Sequence, residues 1–388
     1  MKLTLPLKGY NIVQDSRSMR NAMMKVKAAI CNEYHKPLTF EEVELEPPGK
    51  TDVTIRIAAT AICHSDIHCI HAEHGIHPLP AIGGHEVCGY IEKVGEGVTY
   101  VKPGDPVIAT IIPSGCGHCY YCSIGLSNQC QNNRIRLFIP GRYINKKGQR
   151  ITQFEGPVAG FAEYTTVPEV NVVKIPADIP VDRAALVACG VISGIGAVQY
   201  RAKVQPNKSV LVVGTGGVGL NAIQGAAYIG AYPIIAADIL DSKLETAKIF
   251  GATHTLNVKK ERDPVKKAWE LTDGRGADYV IVSVAGIDVL RQAFMMSAQA
   301  GTTCVIGHGW GEQLSAFTPT DFMLGRTLTG SAMGAVRSRI DIPRILELYK
   351  NGRLKLDELV SGHYPFDKIN DAIASMEKGG VIRNIIMF

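Results

Sequence analysis

Val210–Val213 is a short apolar run that leads straight into Gly214-Thr-Gly216-Gly217-Val218-Gly219, and an uncharged, helix-patterned segment continues to Ile229. Few backbones accept that order. Gly214 makes the tight turn, Gly216 lets the chain approach a pyrophosphate, and Gly219 lets helix and strand pack closely. The helix opens at Gly217 and Val218, where free amides and the positive dipole end favour phosphate. Asp238 lies 19 residues past Gly219, at the end of the next strand-like run. A carboxylate there accepts hydrogen bonds from an adenosine ribose and repels a 2′-phosphate, which points to NAD. Lys243 lies close enough in sequence to meet the same ribose. Helices at 241–250, 266–272 and 289–298 then alternate with strands at 279–282 and 303–306. Alternation of this kind predicts parallel strands joined by crossover helices.

The same region contains the longest uncharged run, 209–237. Its glycines and Pro233 divide it into strand, turn, helix and strand, so it does not read as a membrane span. Residues 25–110 read differently, as strands at 25–31, 38–45, 53–61, 86–94 and 106–111 punctuated by Gly-Asp and Pro-Gly turns. Strands return at 162–167 and 172–175, and two helices (342–350 and 369–378) and a strand (384–388) close the chain. Segment 112–150 shows almost no periodicity. A length of 388 residues suits two or three domains at about 150 residues each.

A net charge of +5 over this length does not supply the clustered basic face that nucleic acid requires. One acid-free basic stretch, 134–150, reads as a solvated loop. Residues 1–24 are mildly basic, carry Met19, Met23 and Met24, and show no apolar export core. They read as an extension or a start placed too early.

Cys116-x2-Cys119-x2-Cys122-x7-Cys130 supplies four thiolates in a short span. Four soft ligands with no open position describe a closed tetrahedral zinc site. An iron–sulfur cluster competes, but Gln131 stands where that signature has proline. The crowding suits metal in a reducing compartment, so the cytoplasm is the expected location.

Two further segments concentrate reactive side chains: Cys63-His64-Ser65-Asp66-Ile67-His68 and Gly84-His85-Glu86. Cys63 and His85 suit a catalytic zinc, and Cys189 sits at the junction of the two halves, where a third ligand would place the metal in a cleft. Cys31, Cys69, Cys88 and Cys304 read as core, and His71, His74 and His77 as loop residues.

With these residues in view, the chain resembles the zinc-dependent alcohol dehydrogenases of the medium-chain dehydrogenase/reductase superfamily, from about Lys25 to Phe388. The markers are CHSDIH at 63–68, GHE at 84–86, the cysteine lobe, ACG at 188–190, GTGGVG at 214–219 and Asp238. The resemblance implies an α/β chain with a GroES-like β-rich catalytic domain at 25–190 (zinc lobe 113–131). A Rossmann doubly wound parallel-sheet coenzyme domain would follow at 191–332, and 333–388 would return to the catalytic domain. It implies that Cys63, His85 and Cys189 hold a catalytic zinc, with Glu86 nearby and Asp66 orienting His85. Ser65 would take the hydroxyl proton and His68 pass it on through the nicotinamide ribose. His64 and Arg383 would contact the pyrophosphate, Ser193 would join the cofactor site, and Ile111 and Ile112 would line the substrate pocket.

The implied reaction is reversible hydride transfer from an alcohol to NAD, giving aldehyde or ketone, with two zinc ions per chain and a homodimer or homotetramer. Neither nucleic acid nor membrane is an expected partner. Alternatives are oxidation of S-(hydroxymethyl)glutathione, suggested by Arg134 four residues past Cys130, and a form with permanently bound NAD. A non-catalytic binding protein on the same fold is the remote third. His68 stands where the glutathione branch has tyrosine, which favours a neutral alcohol.

Overall fold

The computed structural model describes residues 23–73, 75, 77–132, 137–307 and 317–388, with the backbone alone for 137–139. Its C-terminal half is built on six parallel strands. In spatial order they are His254–Asn257, Ile234–Asp238, Val210–Val213, Ala277–Val282, Ser297–Val305 and Thr327–Gly330. Numbered along the chain, the order is 3-2-1-4-5-6, that of a doubly wound dinucleotide fold. Val210–Val213 is buried along its whole length, as expected for a central parallel strand covered on both faces. The order reverses beside this strand, which puts a crevice at its C-terminal end.

The N-terminal half forms two further sheets. In one, Asp52–Ala61 is central. It pairs antiparallel with Glu86–Val94, Tyr164–Pro168 and, from the far end of the chain, Arg383–Met387. The other sheet runs Met24–Ile30, Thr39–Leu45, Leu137–Ile144, Arg150–Glu155 and Ala81–Ile82. The last pair is parallel, with Ala81 opposite Thr152 and Ile82 opposite Gln153.

The halves meet on a helical stretch, Val181–Arg201. Among the described residues it is the one helix long and apolar enough to cross a membrane, and it is buried inside the protein. Its hydrophobic cluster joins Ala59 and Ile108 of the N-terminal half, and Ile385 of the C-terminal strand paired with it, to Leu220 and Ile223 of the other. A π-helical turn at Val187–Val191 interrupts it and carries Cys189. Such wide turns often mark functional positions.

The expected alternation is present, but the basic stretch is not a solvated loop. Leu137–Ile144 and Arg150–Glu155 form an antiparallel hairpin in which Arg142 pairs with Asp52 and Arg150 with Glu46. Pro140 and Gly141, beside a register shift between Pro140 and Tyr143, obscure the two-residue period in sequence. Cys31, Cys69, Cys88 and Cys304 are all core residues. Burial pushes the Cys31, Cys88 and Cys304 thiols up to about 11, 12 and 11. His71 pairs with Glu377, and His77 is buried, its backbone bonded to the Tyr34 hydroxyl. His74, Arg134 and residues 1–22 of the extension lie outside the described residues.

Candidate active site

The glycine turn has the shape its sequence implies. Gly214 has φ +86, and a Cβ on Gly219 would overlap the Gly214 carbonyl oxygen. Gly216 faces open space, the cradle a phosphate needs. It caps the helix Gly217–Ile229, whose first turn includes Val218. A cavity of about 240 Å³ lies at the strand ends, lined by Gly214, Asp238, Ile239 and Val284 among others. Asp238 is fixed at its rim. One carboxylate oxygen accepts the Thr215 backbone N–H (2.8 Å) and hydroxyl (2.9 Å), and the other accepts the amides of Ile239 and Leu240. Thr215 is a contributor the motif reading missed. Lys243 is half-buried on the helix Asp241–Ile249.

Cys63 ends the strand-to-helix connection after Asp52–Ala61 and caps the helix His64–Ile70. Asp66 closes a capping box there, one oxygen accepting the Cys63 amide at 3.0 Å. Its other oxygen accepts the Gly84 amide at 2.8 Å, so Asp66 ties the two ligand-bearing segments together through their backbones. Gly84 has φ +86 and leaves no room for a side chain against Gly160, which sets the chain's exit toward His85.

The ligand atoms of Cys63, His85, Glu86 and Cys189 all lie within 4.8 Å of one another, and all four residues are buried. Both Glu86 carboxylate oxygens are buried without a hydrogen-bond partner. Arg383 Nη2 is 3.8 Å from one of them. Orphaned carboxylate oxygens beside two thiols and an imidazole fit a divalent cation, and the mixed S/N set fits zinc.

The electrostatics agree. The Cys189 thiol donates to Cys63 and His85 adds its charge, so Cys63 falls well below the ordinary thiol value despite burial. Cys189, which keeps the shared proton, rises well above it. Burial opposes charge on His85, but Glu155 and Asp66 outweigh it and lift the imidazole well above its usual value. Burial raises Glu86 to about 8, with Arg383 pulling the other way.

Four contacts add to what the sequence anticipates. Asp66 Oδ1 is 3.5 Å from His85 Nδ1, while Glu155 Oε2 is only 2.6 Å away. Ser65 donates its hydroxyl to that same Glu155 oxygen at 2.9 Å. His68 is partly exposed and pairs with Glu73. Met333 is the fourth: its sulfur sits 3.7 Å from Cys189 Sγ and 3.6 Å from Ser193 Oγ. It opens a run of three left-handed residues, Met333, Gly334 and Ala335, a strained arrangement of the sort found at functional sites. Ile111 and Ile112 are buried in the apolar clusters.

Arg383 joins the two halves of the site. It is buried, and a Cβ on Gly190 or Gly217 would strike its guanidinium. His64 lies within reach of its field. Desolvation first, then the charges of Arg383, His68 and Lys243, lower its imidazole.

The four lobe cysteines also present their sulfurs within 4.8 Å of one another. Backbone amides of Cys122 and Gln131 pull the Cys119 thiol down to about 6, and the Cys116 amide donates to Cys130 Sγ at 3.3 Å. Donors aimed at sulfur suit thiolates held for a metal.

Two family models match the chain: the alcohol dehydrogenase GroES-like domain over residues 49–177 and the zinc-binding dehydrogenase over residues 217–351. Solved structures align over nearly all of it. An alcohol dehydrogenase zinc-binding domain protein from Burkholderia ambifaria is 30% identical, with a TM-score of 0.86 over 94% of this chain and 99% of that one. Benzyl alcohol dehydrogenase from Acinetobacter calcoaceticus is 31% identical at the same TM-score and coverage. A short chain alcohol dehydrogenase from Escherichia coli CFT073, complexed with cofactor NADH, is 25% identical, with a TM-score of 0.76 over 94% and 99%.

Proposed function

The chain belongs to the zinc-dependent alcohol dehydrogenases of the medium-chain dehydrogenase/reductase superfamily, and on that footing we propose that it oxidises a neutral alcohol reversibly to an aldehyde or ketone with NAD. The observation that carries this reading is the buried Cys63, His85, Glu86 and Cys189 cluster, with the guanidinium of Arg383 set between it and the glycine turn. When bound, zinc would act as a Lewis acid on the alcohol oxygen and the nicotinamide would accept hydride.

The chain's own groups do the rest. Cys63, His85 and Cys189 would hold the catalytic metal, and Cys116, Cys119, Cys122 and Cys130 a second zinc that fixes the lobe. The glycine-turn amides and Arg383 would receive the pyrophosphate, with His64 and Ser193 beside them. Asp238 and Lys243 would receive the ribose. Ser65 would accept the hydroxyl proton, and the partly exposed His68 would pass it outward. Similarity to a benzyl alcohol dehydrogenase supports an apolar primary alcohol as the first substrate to try. Ten free cysteines support a reducing, cytoplasmic setting.

The test combines elemental analysis with NAD and NADP reduction on benzyl alcohol, a medium-chain alcohol and S-(hydroxymethyl)glutathione. Two zinc ions per chain and turnover of the neutral alcohols with NAD are expected. Cys63→Ser should lose one zinc and the activity while keeping the fold. Iron in the active protein, or turnover confined to the glutathione adduct, would overturn the proposal.

A further inference from the structure

Glu155 belongs to none of the motifs, yet it makes the nearest carboxylate contact to the imidazole of the cleft. Its Oε2 atom lies 2.6 Å from His85 Nδ1, an ion-pair contact outside hydrogen-bond geometry, and accepts the Ser65 hydroxyl at 2.9 Å. One oxygen therefore touches a metal-ligand candidate and the residue expected to meet the reacting hydroxyl.

The backbone delivers it there. Glu155 ends the strand Arg150–Glu155, which pairs in parallel with Ala81–Ile82. Ile82 lies opposite Gln153, so both chains leave the sheet at the same end, one toward His85 and one through Glu155. Gly156, at φ +67, turns the chain, and Gln153 holds the turn by donating to the Pro157 carbonyl at 3.2 Å. A buried acid is costly unless it is paired. Glu155 is nearly buried and spends its oxygen on these two partners.

Asp66 is committed elsewhere, its two oxygens accepting the Cys63 and Gly84 amides. Both carboxylates stand on the Nδ1 side of the ring, but Asp66 also clamps backbone, and Glu155 makes the closer contact. We propose that Glu155 is the positioning residue that holds the His85 ring by a close charge contact on its Nδ1 side, keeps Nε2 turned toward the metal, and fixes the Ser65 rotamer. A ring held in this way is a better and better-aimed ligand. While its O–H points at Glu155, the Ser65 oxygen can accept a hydrogen bond from the substrate hydroxyl, and handing a proton on to His68 requires the Ser65 hydroxyl to turn away from Glu155.

The inference rests on the zinc reading, and cobalt(II) separates the two. Zinc would be exchanged for cobalt(II) in wild type, Glu155→Ala and Glu155→Gln. Cobalt uptake would be titrated and the visible d–d and thiolate charge-transfer bands recorded. Wild type should show tetrahedral bands from both sites. Glu155→Ala should weaken the cleft site about 10–100-fold and shift its bands, with the lobe site unchanged. Glu155→Gln, which keeps an acceptor oxygen, should recover part of that loss. Normal affinity and unshifted bands in Glu155→Ala would overturn the positioning role, even if the variant were less heat-stable. Wild type without a cobalt site in the cleft would overturn both this role and the zinc reading.

Discussion

Asp238 is held in place before any cofactor arrives, with four protein donors on its two oxygens. Those donors fix the carboxylate in the crevice as a charge rather than a movable acceptor. A 2′-phosphate would meet that charge at the cavity rim, so NAD is favoured over NADP by repulsion as much as by hydrogen bonding. Asp238→Ser should narrow the preference at least tenfold, a change of about 1.4 kcal/mol. The measurement is kcat/KM with each cofactor at one alcohol concentration, and an unchanged ratio would show that the selectivity lies elsewhere. At this scale the sequence was most legible. Cys63, His85, Glu86 and Cys189 stand together as the family resemblance implies; the sequence marked the three segments that carry them, and packing brought those segments together. Glu155 was not legible, since an acid at a strand end has no signature until the facing strand is known.

Among the elements, the parallel sheet shows how a single polar residue can pin a strand. Asp278, in the strand Ala277–Val282, accepts the Ser209 amide and hydroxyl at 2.9 and 2.7 Å. It also faces Lys208. Partial burial alone would raise its pKa, but these partners hold the carboxyl below the usual range. Its folded value is thus below its unfolded value. The stabilisation is complete above about pH 4 and is lost as the pH falls through the folded-state value. Asp278→Asn should cost about 1–2 kcal/mol at pH 7, the worth of charge-assisted hydrogen bonds. Urea midpoints at pH 7 and pH 3.5 test this: the gap between variant and wild type should shrink at the lower pH, and an equal gap at both would contradict it. The strands His254–Asn257, Thr327–Gly330 and Val360–Pro365 escaped the sequence reading. They are short, and the last contains Gly362 and ends on Pro365, residues that sequence patterns treat as breakers.

In the molecule as a whole, the far end of the chain completes the site. Arg383–Met387 pairs with Asp52–Ala61, and the Ile62 amide donates to the Asn384 carbonyl at 3.0 Å. That register lodges Arg383 between Glu86 and Gly217. Arg383→Lys keeps a cation but loses the planar fork that grips phosphate. It should raise the KM for NAD about tenfold with zinc content unchanged, measured by initial rates and metal analysis. Loss of cleft zinc instead would show that Arg383 serves the metal site before the cofactor.

What the sequence determined by itself was the local chemistry: the glycine turn with its acid, the four-cysteine lobe, and the alternation that makes a parallel sheet. Each depends on residues within about 25 positions, where covalent spacing sets geometry. Tertiary structure decided which distant groups share one volume. It paired Ala81–Ile82 with the strand ending at Glu155, brought Met333 against Cys189 and Ser193, and set Arg383 between metal site and cofactor turn. The physical reason is that strand register and the burial of the helix Val181–Arg201 are settled by packing between segments far apart in the chain, and no local pattern encodes which segments will meet.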